Sequence, residues 1–243
     1  SPSKLGIYNV DDTYLVCSNH FQSDVFENDE NNQKQKMESA SLYRQNRLIE
    51  LLDKDNHLNH KEVATILRDR YGMNEKPIGM GNEKALAQMI SHHSVIFQPL
   101  KRNFWVSTAP YQLGAYLNYN LTDFFSRKYK FPTTIISDST YTISDDPFLS
   151  TDEFSNFMRY KEEKTKLINL IKNNVDSDPY NINSFIALNP AYFESYVLAG
   201  DYYFVRENKD KALHFYTLSL SKEFEKEEQK QAVLEKIKEI RDE

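Results

Sequence analysis

Two short runs of strand-forming residues open the chain. Ile7-Tyr8-Asn9-Val10 and Thr13-Tyr14-Leu15-Val16-Cys17 flank Asp11-Asp12, a pattern that predicts a β-hairpin with a two-residue turn. Residues 22–37 are rich in Asn, Asp, Glu, Gln and Lys, with no apolar period, and are expected to form a solvated loop. From 38 to 53 the period becomes helical: Leu42, Gln45, Ile49 and Leu52 share a face, with Leu48 beside them. A second helix is predicted from Asn59. Asn59 and Glu62 form a capping box, Val63, Ile66 and Leu67 form the apolar face, and Tyr71-Gly72 closes it.

Residues 94–108 predict a second hairpin, with Ser94–Gln98 and Asn103–Thr108 as strands and Pro99-Leu100-Lys101-Arg102 between them. Gly114 to Tyr119 predicts a further strand, although Asn118 to Leu121 has the character of a helix start. Pro132, Pro147 and several Ser, Thr and Asp residues mark 131–149 as a linker. From 150 to 243 the pattern is helical throughout. Ser150 and Glu153 suggest a capping box, and helices are predicted near 190–205, 209–221 and 225–241.

The composition narrows the function classes. Lys and Arg total 30 against 36 Asp and Glu, a net charge of -6, which leaves no electrostatic footprint for nucleic acid. No apolar run reaches the roughly 18–20 residues of a membrane span, so neither partner is expected. The single cysteine, Cys17, excludes an intramolecular disulfide and a cysteine metal cluster. The sequence begins Ser1-Pro2-Ser3-Lys4, which is not a signal peptide and reads as the middle of a longer chain.

Three motifs, in order, carry a family resemblance. The first is Leu15-Val16-Cys17-Ser18-Asn19-His20-Phe21. The second is a helix pair with Arg44, Arg47 and Leu51-Leu52, then Ile66-Leu67-Arg68-Asp69. The third is His93-Ser94-Val95-Ile96-Phe97 leading to Phe104-Trp105-Val106-Ser107 and Ala109-Pro110. Together they resemble the downstream half of the acyl-CoA:6-aminopenicillanic acid acyltransferase family. These are cysteine-type N-terminal-nucleophile enzymes, of the same broad clan as penicillin V acylase and bile salt hydrolase. The likeness covers residues 7–119.

The resemblance implies an autoprocessing amide hydrolase or acyltransferase without a cofactor, acting on a small amide or acyl substrate. A precursor cuts itself ahead of a cysteine, whose thiolate becomes the nucleophile and whose α-amine becomes the base. Asn19 matches the asparagine that contributes to the family's oxyanion hole. Cys17, His20 and Trp105 are the expected substrate-side residues. A cysteine in a strand is otherwise a buried structural thiol, and Trp105 could equally be core. The nucleophile should lie far upstream of Asn19, whereas 18 residues precede it here. The expected partner is therefore the N-terminal segment of the same gene product. The serine and cysteine usual in the family near Pro77-Ile78-Gly79 are absent.

Asn189–Ser221 resembles one tetratricopeptide repeat. Tyr196, Ala199, Gly200 and Tyr203 lie on the first helix, and Ala212, Tyr216 and Ser219 on the second. Gly200, Ala212 and Ser219 would permit close helix approach, with Tyr203 and Tyr216 filling the groove. His92-His93, on a strand, would face opposite ways and share no metal ion. His57 and His60 are expected at the surface.

The expected fold is α+β: part of an αββα sandwich over residues 1–130, a linker at 131–149, and an all-helical appendage over 150–243. The alternative to the enzyme is a non-catalytic protein-binding module, a degenerate sandwich with a helical-repeat-like tail that recruits a partner.

Overall fold

A computed structural model describes residues 5–10, 14–54, 58–126, 137–173 and 180–242. The chain is α+β, with one four-stranded antiparallel sheet among the described residues. The elements are α1 (Glu30–Glu38), α2 (Ser41–Lys54), α3 (His60–Leu67), β1 (Val95–Gln98), β2 (Asn103–Ser107), β3 (Tyr116–Asn120), α4 (Leu121–Phe125), β4 (Asp138–Ile143), α5 (Asp152–Asn173), α6 (Ile182–Leu188), α7 (Phe193–Phe204), α8 (Lys209–Ser219) and α9 (Glu227–Asp242).

Among the described residues the expected hairpin at 7–17 is not formed. Residues 5–10 and 14–18 run without a ladder. An isolated two-stranded ribbon is marginal in water unless something covers one face. Residues 11–13, which would turn it, lie outside the described residues. The polar stretch 22–37 is also more ordered than its composition suggests. It holds a 3₁₀ turn at Asp24–Phe26 and then α1, capped by Asp29, whose carboxylate accepts from Asn32 N–H. Local capping replaced the missing apolar period.

The helix pair follows its sequence signals more closely. Asn59 Oδ1 accepts from the N–H groups of Lys61 and Glu62, and Glu62 returns a bond from Asn59 N–H, completing the capping box. The helix stops at Leu67, before Tyr71-Gly72. Arg68 leaves it to donate to the carbonyls of Leu113, Gly114 and Ser144, and Asp69 turns to Arg47.

The sheet order is β1-β2-β3-β4. Pairing Ile96 with Trp105, and Trp105 with Asn118, puts these three on one face, with Ser107 opposite Tyr116 further along it. That face is buried against α3 through Ala64, Val63 and Leu67, with Ile143 completing the cluster. The opposite face carries Val95, Phe97, Phe104, Val106, Leu117 and Tyr119. Phe97, Phe104 and Tyr119 stack across three strands at 6.2 and 5.0 Å. Phe97 is 69% exposed, while Phe104, Val106, Leu117 and Tyr119 are half-buried, so this apolar face is only partly covered by the described residues.

Part of the expected linker 131–149 carries regular structure. Residues 131–136 lie outside the described residues, but 138–143 form β4 against β3. Phe148, in the 3₁₀ turn Pro147–Ser150, is buried. The capping box of Ser150 and Glu153 gives way to two other caps. Asp146 accepts from Phe148 N–H, and Thr151 accepts from Phe154 N–H.

Helices α5–α9 build the larger core, and Met89 and Leu113 enter it from the preceding half. The tail is therefore packed onto the rest of the chain. Its docking surface comprises the segment 76–84, together with Met89 and the Tyr111–Leu113 turn. Glu223 takes Lys76 at 2.9 Å and Lys84 at 2.6 Å. Asn82, fully buried, donates to the carbonyls of Ile78 and Glu223, while Glu83 N–H donates to Glu225. Asn189 and Met80 exchange two bonds. Gly79 has φ +86° and would carry a Cβ 2.4–2.6 Å from Tyr192, so both torsion and space require glycine.

Within the tail, α7 and α8 form the expected helix hairpin. A Cβ on Gly200 would lie 2.4 Å from the ring of Tyr216, which is fully buried. Tyr203 stays half-buried and stacks on Phe215 at 5.6 Å.

Two outcomes follow for stability. Gly200→Ala forces a methyl against a ring with no room to retreat, and should cost about 1–3 kcal/mol in urea unfolding. Burial alone would raise the Glu223 carboxyl, but Lys84 and Lys76 outweigh it and hold it below the usual value of 4.5. A depressed carboxyl stabilises the fold above its ordinary pKa and loses that contribution as pH falls through the folded value. The stability gap between the native protein and Glu223→Gln should therefore shrink below about pH 4.5, as read by urea midpoints across pH.

Candidate functional site

Asn19 sits where two cavities meet. One, of about 280 Å³, is lined by Val16, Cys17, Asn19, Arg44, Gln88 and Gln112 among others. The other, of about 300 Å³, is lined by Asn19, His20, Phe21 and the Asp29–Gln35 side of α1. The structure thus brings Cys17 and Asn19 to one wall and His20 to the next. Period-2 alternation is not the reason, because residues 14–18 are not a strand.

The stretch Ser18–Phe21 is held from both sides. On one side, Ser41 at the start of α2 is fully buried, and its Oγ accepts from Asn19 N–H at 2.8 Å. The same oxygen lies 2.8 Å from His20 Nδ1 and 3.1 Å from Ser18 Oγ. On the other side, Asn32 of α1 accepts from Phe21 N–H at 2.8 Å and donates to the carbonyls of Phe21 and Phe26. These bonds give the N–H groups of Asn19 and Phe21 and the carbonyl of Phe21 side-chain partners where no sheet supplies them.

The Asn19 side chain is held by Arg44. Arg44 Nη2 donates to Asn19 Oδ1 at 2.6 Å, and Nη1 donates to Glu83 O at 2.7 Å. With the Gln88 amide oxygen turned towards the guanidinium, it accepts from Arg44 Nη1 at 3.0 Å and Nε at 3.2 Å. These partners are all neutral. Burial lowers the Arg44 pKa and the charge of Glu83 opposes it, but a guanidinium remains charged under any physiological condition. Arg44 therefore places a positive charge directly against the Asn19 side chain.

Gln112 closes the wall from below. It follows cis Pro110 in a turn where Tyr111 and Gln112 have φ of +50° and +62°, and its Nε2 donates to Leu67 O at 2.6 Å. Non-glycine residues at positive φ persist where surrounding contacts over-determine them.

The remaining sequence candidates fall elsewhere. Trp105 is 1% exposed on the buried sheet face, stacked 4.6 Å from His60, and its indole donates to Tyr141 O. It lines neither cavity that Asn19 lines, and its core alternative is the one realised. His60 is accordingly half-buried on that indole. Cys17 is exposed, not a buried structural thiol. His92 and His93 precede β1, and both are exposed. His57 lies outside the described residues. Among the described residues no three His, Cys, Asp or Glu side chains cluster as metal ligands, and no helix is long and apolar enough to cross a membrane.

A third cavity, about 410 Å³, lies between α3 and the Asp146 turn. It is larger than either cavity at Asn19, but most of its charges are already paired. Arg70 is taken by Asp146, Asp69 by Arg47, and Glu75 by Arg47 and Lys54. We place the candidate chemistry at Asn19 for that reason.

Ser41, Asn32, Gln88 and Gln112 were not singled out by sequence reasoning. Ser41 had a usable signal: it stands three residues before Arg44, one helical turn, so both reach the same neighbour. Comparison with protein-family models, characterised proteins and solved structures found no match.

His20 should titrate low. Burial first, and the charge of Lys36 second, pull its pKa below 6.5 against an opposing effect of Gln45. An NMR titration of the imidazole C–H protons should give a midpoint below 6.5, and Lys36→Gln should move it upward.

Proposed function

We propose that this chain is the C-terminal portion of an autoprocessing C–N amide hydrolase or acyltransferase. Its N-terminal cysteine nucleophile is supplied by an upstream segment of the same gene product. Asn19 donates to the oxyanion. One observation carries this reading. Asn19 lines a cavity next to Cys17 with its Oδ1 engaged by Arg44, while its Nδ2 donates to no described residue. A neutral, oriented N–H donor on a cavity wall is what a developing oxyanion needs.

The chemistry proceeds by acyl transfer. The α-amine of the cysteine accepts the thiol proton, and the sulfur attacks the substrate carbonyl carbon. The oxygen takes negative charge towards Asn19 Nδ2. Collapse breaks the C–N bond, and the amine leaves with the proton. The acyl thioester is then cleaved by water in a hydrolase or by a second amine in a transferase. Cys17 and His20 are the substrate-side residues in this scheme. The partly exposed face with Phe97, Phe104 and Tyr119 is where the second sheet of an αββα sandwich would lie, contributed by the upstream segment.

That same apolar face also favours the other reading, a non-catalytic module that docks a partner. Intact-mass analysis and N-terminal sequencing of the full-length gene product separate the two. Self-cleavage leaving a cysteine at the new N-terminus is expected for the enzyme, and an uncut chain sinks it. In the processed protein, Asn19→Ala should lower the hydrolysis of nitroanilide amides by about 10²–10³-fold in kcat. A loss confined to KM would remove Asn19 from the oxyanion role.

A further inference from the structure

We infer that Arg44 and Ser41 are positioning residues that act through Asn19, one fixing its side chain and the other its main chain. The inference rests on the reading of Asn19 as an oxyanion donor for its functional half, and on geometry alone for its structural half.

An asparagine amide can turn over by half a rotation about its last torsion at little intrinsic cost. The two orientations present opposite chemistry, because one points N–H groups into the cavity and the other points a carbonyl. Asn19 is exposed, so packing alone does not select one. Arg44 does. A guanidinium has donors and no acceptor, so the 2.6 Å contact to Asn19 is available only to Oδ1. The amide nitrogen is thereby turned away from Arg44. The choice is charge-assisted, which roughly doubles the strength of an ordinary neutral bond.

The guanidinium is itself immobilised. Glu83 O and the Gln88 amide take its remaining edges at 2.7–3.2 Å. Among the described residues no carboxylate comes within ion-pair distance of it. Glu83 acts on its charge only through space, and the guanidinium adds a favourable potential where negative charge would develop on a substrate oxygen. Ser41, fully buried, accepts from Asn19 N–H and so sets the height of the residue over α2. Ser41 and Arg44 are one turn apart on α2, so a single rigid element controls both ends of Asn19.

Two measurements on the full-length protein decide this. The first is ¹⁵N relaxation of the Asn19 side-chain NH₂. In the native protein its order parameter should be close to that of rigid backbone, about 0.85, and in Arg44→Gln it should fall below about 0.6. Arg44→Lys, which retains one cationic donor, should recover part of the loss. An unchanged order parameter in Arg44→Gln overturns the structural half. The second is a double-mutant cycle on kcat. Arg44→Gln should lower kcat about 10–100-fold in the native background and less than about 2-fold in Asn19→Ala, because the effect runs through Asn19. Equal losses in both backgrounds overturn the functional half. If Asn19→Ala keeps full rate, the oxyanion reading fails and takes the functional half with it, while the relaxation data still judge the clamp. Ser41→Ala, read in the same two ways, serves as the second variant if Arg44→Gln does not fold.

Discussion

The structure depends on one buried charge. The Arg47 side chain is fully shielded from water, and it lies in the middle of α2. Its Nε and Nη2 grip Asp69 in a two-pronged bond at 2.9 and 2.8 Å, and Nη2 also reaches Glu75 at 3.1 Å. Nη1 lies 3.1 Å from Glu50, an ion contact without good hydrogen-bond alignment, which leaves that nitrogen formally unsatisfied. Burying a guanidinium costs several kcal/mol, and only close carboxylates with good geometry offset it. The benefit is geometric. Asp69 lies just beyond the end of α3 and Glu75 belongs to the turn that precedes the docking segment, so Arg47 sets α2 against both. Ser41 and Arg44 ride on that helix, and Asn19 is placed by them. The same carboxylates, with Asp146 on Arg70, pin the segment between α3 and the tail.

The second constraint is the fit of the helical tail onto residues 76–84. Gly79 meets the backbone of Tyr192, and Asn82 and Glu83 are bonded to the 223–225 turn. Most of these contacts are polar and buried. An unsatisfied buried polar group costs about 1–3 kcal/mol, so the interface tolerates little displacement. The segment that departs from the expected family pattern, around Pro77-Ile78-Gly79, is also the segment that receives the tail. Its residues are explained by docking without appeal to substrate.

Where the sequence was legible, a local physical rule was strong. The capping box of Asn59 and Glu62, the hairpin around Pro99–Arg102, and the small residues Gly200 and Ala212 each act within a few residues or one helix pair. The expectations that failed needed partners the sequence does not display. The runs at 7–17 have strand propensity but no neighbour to pair with. The stretch 22–37 lacks an apolar period, yet Asp29 caps a helix and Asn32 fastens it to Phe21. Residues 138–143 look like linker until β3 offers an edge. At the site, Asn19 was visible as part of a motif, whereas Ser41, Gln88 and Gln112 arrive from three other segments and carry no local signature. The family resemblance implies a pocket role for Trp105, but its pairing with Ile96 and Asn118 turns it inward.

The bond from Asn82 to the carbonyl of Glu223 spans 141 residues of sequence. A ribosome adding about 5–20 residues per second needs roughly 7–28 s to make that span. For that interval the 76–84 segment has emerged without the chain that completes it. Asn82, Glu83 and the lysines at 76 and 84 are then served by water, and Met80 and Met89 lack most of their core. Chain synthesis therefore imposes an order of events: α2 and α3 can be set by Arg47 early, while the 76–84 segment waits for residues 189–225.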